Sequence, residues 1–572
     1  MRAWHTDFSD FDYGVYSDHF INAVTAKNIV WGLGWSSSGY ETYLLNPENL
    51  TTGPVVILPV AVAVAIFGNT LAVPGLTLFL LNLALLTLLL RSLRKVYADD
   101  RQLYLCGILL LVFFIFFKSY YWYRLIGEMP ALLLLLLAIT YLQRFFLYGH
   151  ARHIFISALM VSGALGAKEL TLLPALVLLL IVAIFCFRRK SSGMKILTGV
   201  VLCGLSIPFV FTAYRHLLLS QQPDAWRAAY FFYADHLHDY YSGLATLREY
   251  FISPANITVT FLRIVKSALW NGGTLLHLSY AGLRGIQYWL AIYAVTLAVV
   301  SARRKYFLMS ALLAVTALPL LAWYFMIAEH AMPRYLFIGL SLAVMSILFF
   351  IVSLKNIHTR RIAALLFVAL VIYTGDLSSR LVLASWPVHA APNVTAMEEV
   401  QHSIEARPPK SLAWLSMVDN NEFEYLSQTP NNFISAYDLI AGAVKLDEHS
   451  YLATHPQLTP LLEQGVYRSV YDYYVSPQNK RTESVKVGLV RPLDFDWLHF
   501  KGEIGNHYHK GSHMVHGEFC ASVVFQNDYY VIEHCTSDDI RAFFNRTGGM
   551  TLRPRLWTPW ILLPFERGEA FY

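Results

Sequence analysis

Apolar residues in this chain fall in long, nearly unbroken runs rather than in strand-like alternation or the narrow stripe of a surface helix. The runs lie near 70–92, 103–118, 127–145, 153–169, 170–188, 194–214, 286–301, 306–327, 335–354 and 360–376. Each approaches the roughly 20 residues that cross about 30 Å of hydrocarbon. The pattern predicts a membrane all-α polytopic bundle of about ten transmembrane helices. A further run, 54–68 (PVVILPVAVAVAIFG), is short, carries Pro54 and Pro59, and ends in Gly68. It reads as a helix in the outer interface, a full span being the alternative.

Polar positions orient these runs. Basic residues gather in Arg91–Arg101, Arg144–His153, Arg188–Lys195, Arg303–Lys305 and Lys355–Arg361, every second connection. By the positive-inside rule those connections are cytoplasmic. The segment before 54, the 215–285 loop and everything after about 380 then face the other side. That side is the periplasm or exterior of a plasma membrane, or the lumen of an endoplasmic reticulum if the cell is eukaryotic. Residues 1–45 have no signal-peptide pattern, so a preceding transmembrane helix is expected upstream of them.

After about residue 377 the pattern changes to polar, Pro-containing stretches and alternating segments such as VKVGLV and ASVVFQNDYYVIEH. These predict an extracytoplasmic C-terminal α/β domain. The resulting division is 1–69 (first outer loop with interfacial helices), 70–376 (transmembrane domain) and 377–572 (soluble domain).

Composition supports this reading. The 572 residues are 56% hydrophobic and 14% charged, against about 25% charged in an average soluble protein. The net charge of +6 sits in the inner connections, so no nucleic-acid face is implied. Of five cysteines, Cys106, Cys186 and Cys203 lie in apolar runs. Cys520 and Cys535 flank two predicted strands on the oxidising side, where a disulfide across the hairpin is one expectation. His507, His509, His513 and His516 are irregularly spaced in a turn-like stretch, which fits solvated histidines better than a metal site.

Ionisable residues at the membrane edge are costly to hold there, which marks them as functional candidates. Four groups fall on the outer face. FSDFDYGVYSDHF (8–20) carries Asp10, Asp12 and Asp18 among aromatics that include Tyr16. YYWYRLIGEMPALLLLL (120–136) carries Arg124 and Glu128 at a helix start. GALGAKELTLLPAL (163–176) places Lys168 and Glu169 at the turn between two runs. AEHAMPRYLF (328–337) offers His330, Arg334 and Tyr335. Singly, each admits a plainer reading as solvated loop, helix cap, hairpin turn or interfacial anchor. Together they supply carboxylates to deprotonate a hydroxyl and cations to hold a phosphate.

The order of these motifs resembles the GT-C superfamily of membrane glycosyltransferases. The likeness is to its branch of protein O-mannosyltransferases and the aminoarabinose transferase of lipid A. It runs over about 5–376, through Asp12-Tyr13-Gly14-Val15-Tyr16, the Pro-containing helix ending in Phe67-Gly68, Glu128, Lys168-Glu169 and Arg334-Tyr335. Position 13 is Tyr where the family usually has Glu, which weakens a paired-acid metal site there. No Trp-Trp-Asp-Tyr-Gly motif is present, against an oligosaccharyltransferase.

The resemblance implies transfer of one hexosyl or pentosyl unit from a polyprenyl-phosphate-linked donor to an acceptor at the outer face, with inversion. Asp12 would be the base, with Asp10 its competitor. Arg334, Lys168, Arg124 and Tyr335 would bind the donor phosphate. Glu128 would orient the acceptor or, with Asp12, bind a divalent metal ion. Tyr16, Glu169 and His330 would form the rim. The acceptor (lipid, glycan or protein) stays open. A transporter of lipid-linked saccharides and a non-catalytic scaffold are the alternatives, the former disfavoured by the lack of internal repeats.

Overall fold

The structure is a computed structural model. It describes residues 13–35, 52–70, 72–96, 100–116, 119–188, 308–322, 337–369 and 371. In the C-terminal part it describes 394–407, 412–414, 425, 433–435, 444–446, 452–453, 455–466, 485–489, 492, 494–500, 520, 522–528, 530–546, 551–553 and 561–563.

The apolar runs that fall within these residues are helical. Together with Tyr13–Val30, which is helical although it is not one of those runs, they form α1 (Tyr13–Val30), α2 (Pro54–Phe67), α3 (Ala72–Arg94), α4 (Asp100–Phe116), α5 (Glu128–Tyr148), α6 (Ala151–Ala167), α7 (Leu172–Arg188), α8 (Leu308–Ala322) and α9 (Phe337–Val352). Residues 357–369 form α10. Among the described residues α3 and α5 are long and apolar enough to cross a membrane, with six shorter apolar helices beside them. The expected runs at 194–214 and 286–301 and the 215–285 loop lie outside the described residues. α2 is 14 residues long, about 21 Å at 1.5 Å per residue. That is well short of a 30 Å hydrocarbon layer.

Packing divides the helices into an inner and an outer set. The apolar window of α5 is 78% buried, whereas that of α3 is 39% buried. The outward face of α3 presents Leu76, Phe79, Leu80, Leu83 and Leu88, and α10 presents Ile362, Leu365 and Leu366. Water would penalise such apolar faces at about 25 cal/mol per Å², whereas hydrocarbon would not.

Between helices some of the polar groups that enter the core are satisfied by backbone carbonyls of a neighbouring helix. Ser157 Oγ donates to the Ala138 carbonyl at 2.8 Å, joining α6 to α5, and Ser310 Oγ donates to the Ser346 carbonyl at 2.7 Å, joining α8 to α9. Small residues permit close contact: a Cβ at Gly339 would lie 3.0 Å from Leu320 Cβ.

The strands all occur beyond residue 411 among the described residues. One sheet has the order β2-β1-β5-β7-β6, formed by β1 (Leu412–Trp414), β2 (Phe433–Ser435), β5 (Asp494–Phe500), β6 (Ser522–Gln526) and β7 (Tyr530–Thr536). In it β1 pairs parallel with β2 and β5, while β5–β7 and β7–β6 are antiparallel. The second sheet is β3-β4-β8-β9, formed by β3 (Val444–Leu446), β4 (Val485–Leu489), β8 (Thr551–Arg553) and β9 (Ile561–Leu563). Cys520 and Cys535 are joined as a disulfide with a Cα–Cα distance of 4.6 Å. Residues 507, 509, 513 and 516 lie outside the described residues.

Tyr425 links this part to the helices. It is fully buried, its ring 6.2 Å from that of Phe20 on α1. Asn69 Nδ2 donates to the Tyr425 carbonyl at 2.7 Å, and Tyr425 Oη donates to the Thr70 carbonyl at 3.2 Å.

Candidate functional site

Five chain segments meet at the end of the bundle where α5 begins and α6 ends. The connection into α5 turns sharply at Gly127, whose φ of +85° is left-handed and suits a residue without Cβ. A Cβ there would overlap the Ala167 carbonyl oxygen, and one at Gly53 would overlap the Gly166 carbonyl oxygen. Two glycines therefore let three backbones touch. Gly53 N–H donates to Ala167 O at 3.2 Å, Thr52 pairs with Lys168 as a β-bridge, and Thr52 Oγ1 donates to Ile126 O at 3.2 Å.

α1 closes the same junction. Leu125 N–H donates to His19 Nδ1 at 2.8 Å, and Asn22 Nδ2 donates to the Leu125 carbonyl at 2.6 Å. His19 thus accepts at Nδ1 and must be unprotonated there. Burial, reinforced by the Arg124 charge, holds its pKa well below the usual 6.5. Phe337, the first residue of α9, stacks on Tyr121 with ring centroids 4.0 Å apart.

At the centre lies an ion pair. Lys168 Nζ is 3.1 Å from Glu128 Oε1 and donates to the Ile126 carbonyl at 3.0 Å. Both residues are 1% exposed, as is Arg124. Glu128 opens α5, where the helix dipole favours a carboxylate. Lys168 ends α6 in extended conformation, so its side chain turns back across the gap.

Two residues singled out in the sequence, Glu128 and Lys168, thus come together, and Arg124 is buried four residues before Glu128. Glu169 opens the short 3-10 turn Glu169–Thr171 and is exposed. Tyr16 lies within α1, its side chain outside the described residues. Asp10, Asp12, His330, Arg334 and Tyr335 also lie outside them. Sequence reasoning passed over His19, Asn22, Thr52, Gly53 and Gly127. His19 and Asn22 were detectable as polar residues three apart on one face of the helix.

The donor set bears on the metal expectation. Two buried cations, Arg124 and Lys168, stand with one carboxylate, Glu128. An ammonium 3.1 Å from that carboxylate opposes a divalent cation on it. No group of three His, Cys, Asp or Glu suited to a metal occurs among the described residues. As placed here, Glu128 does not fit a metal ligand.

No family model matches the sequence, and no curated protein matches it. Among solved structures the chain is similar to ArnT from Cupriavidus metallidurans. Its apo state matches at 13% identity and a TM-score of 0.45 over 90% of this chain and 93% of that one. The undecaprenyl phosphate complex matches at 12% identity and a TM-score of 0.47 over 91% and 94%. The Archaeoglobus fulgidus oligosaccharyltransferase in complex with Zn and sulfate matches at 15% identity and a TM-score of 0.39, over 73% of this chain and 53% of that chain. At such identities and TM-scores the functional reading rests on the site and on the order of the motifs.

Proposed function

We propose that this chain is a multi-pass membrane glycosyltransferase that moves a single sugar from a polyprenyl-phosphate-linked donor to an acceptor at the outer face, with inversion. The observation that carries this reading is the buried Glu128–Lys168 pair, with Arg124 also buried in the turn just before α5, in a bundle whose outward helix faces are apolar. Such a cluster supplies cationic charge where a lipid-borne phosphate would meet the membrane edge. The Cys520–Cys535 disulfide supports an oxidising, extracytoplasmic place for residues 377–572.

In this reading Asp12 takes the proton of the acceptor hydroxyl and Arg334 meets the departing phosphate, while the buried Arg124 and Lys168 add positive charge behind it without touching it. Tyr335 adds a contact to that phosphate, while Tyr16, Glu169 and His330 form the rim. Glu128 holds Lys168 in place.

Covalent tethers support the grouping. Asp12 immediately precedes α1, and Tyr13 is six residues from His19, about 9 Å of helix rise. Arg334 is three residues before Phe337, a tether of at most about 11 Å.

The test is transfer from a labelled polyprenyl-phosphate sugar by membranes containing the chain. Asp12→Asn is expected to abolish transfer while donor binding persists. Near-normal transfer by Asp12→Asn with loss in Asp10→Asn would reassign the base, and absence of any transfer by the wild type would reject the reading.

A further inference from the structure

The opposite end of the same two helices holds a second cationic cluster, unrelated to the pair above. α5 is 21 residues long, so its two ends lie about 30 Å apart. At the far end Arg144 is 8% exposed and His153, in the first turn of α6, is 2% exposed. The Arg144 guanidinium lies over the Tyr141 ring at 5.1 Å, and the His153 ring lies 6.1 Å from the same ring. Tyr141 in turn accepts a hydrogen bond at Oη from Ser92 Oγ of α3 at 3.3 Å. Arg144, Arg152, His150 and Lys95 all lie close enough to His153 to act on its charge. Lys95 follows α3, and His150 is the N-cap residue of α6, which has no side-chain cap.

No carboxylate among the described residues pairs with any of these five groups. Arg144 Nε and His153 Nδ1 are buried with no hydrogen-bond partner. Two buried nitrogens without acceptors, ringed by three further basic groups and a helix N-terminus, make an incomplete polar site. An oxyanion completes it: it accepts from Arg144 and the first turn of α6 while offsetting like charges. The cluster belongs to the inner connections of the topology, where anionic headgroups are the abundant phosphates and basic pockets between helices bind them.

We propose that Lys95, Arg144, His150, Arg152 and His153 form a site for the phosphate of an anionic phospholipid headgroup in the inner leaflet. The site rests on the membrane reading alone and stands whether or not the outer cluster transfers sugar.

The experiment is native mass spectrometry of the purified full chain with phosphatidylglycerol, phosphatidylcholine or inorganic phosphate. The expected result is retention of phosphatidylglycerol over phosphatidylcholine. Arg144→Gln is expected to weaken that retention about tenfold, a charge-assisted hydrogen bond being lost. Lys95→Gln and Arg152→Gln lie at exposed positions, and each is expected to weaken it about fivefold, by the usual effect of one basic residue at an anionic surface. These two variants decide the matter if Arg144→Gln fails to fold. Equal retention of both lipids, or wild-type retention in Lys95→Gln and Arg152→Gln, overturns the proposal. Displacement of phosphatidylglycerol by an equal concentration of inorganic phosphate overturns the lipid as its source.

Discussion

Lys168 Nζ lies 3.1 Å from Glu128 Oε1, and neither side chain reaches solvent. The pair joins the start of α5 to the end of α6, forty residues apart in sequence. A buried ion pair adds little over a packed apolar pair, but leaving one partner alone is costly.

Glu128→Gln or Lys168→Met alone should therefore lower stability by about 3–5 kcal/mol, while the double variant recovers much of the loss. Thermal unfolding of the four proteins in detergent checks this cycle. Additive losses in the double variant would show that the two charges do not act as a pair.

Gly127 adopts a left-handed backbone and touches the Ala167 carbonyl. Gly127→Ala should cost more than about 2 kcal/mol, combining unfavourable φ with displacement of backbone. Gly149→Ala provides the comparison: φ is +76° there too, but the space around it is open. Its loss should be confined to the backbone penalty of about 1 kcal/mol. Equal unfolding temperatures for the two variants would refute the close approach.

His19 is held neutral in the native state, with its pKa well below 6.5. Above pH 6.5 the unfolded chain also carries a neutral His19, so the group adds no pH dependence there. Below that pH the unfolded chain binds a proton that the native one does not, and stability falls by up to about 1.4 kcal/mol per pH unit. Unfolding temperatures of wild type and His19→Gln between about pH 7.5 and 4.5 test this, since that range brackets the unfolded pKa of His. The variant should show the shallower decline, and parallel curves would contradict the assignment.

Tyr425 docks the C-terminal part on α1 and on Thr70. Tyr425→Phe removes one hydrogen bond, about 1 kcal/mol, whereas Tyr425→Ala also leaves a cavity and should cost about 3–5 kcal/mol. Hydrogen exchange along α1 should quicken in the alanine variant and stay near normal in the phenylalanine one. Unchanged exchange in both would mean that Tyr425 does not hold the two parts together.

Several features could be read directly from residue order. Ala72–Arg94 and Glu128–Tyr148 declare themselves as apolar runs of membrane length, because such runs need no partner to be recognised. The shortness of Pro54–Phe67 was equally plain from Pro54, Pro59 and Gly68. Glu128 and Lys168 stood out as charges in apolar surroundings, but nothing in their order showed that they face each other. The sequence suggested Lys168 as an open grip for phosphate; the fold turns it inward onto Glu128 and the Ile126 carbonyl.

By itself, then, the sequence determined that the apolar runs among the described residues are helices and where charge sits between them. Those properties depend on solvation and local backbone preference, which act residue by residue. Only the tertiary structure decided that His19 and Asn22 grip Leu125 across more than 100 residues and that Gly53 and Gly127 let three backbones meet. It likewise left Arg144 Nε and His153 Nδ1 without acceptors at the far end. Close approach and an unmet hydrogen bond are properties of pairs in space, fixed only once the helices have packed.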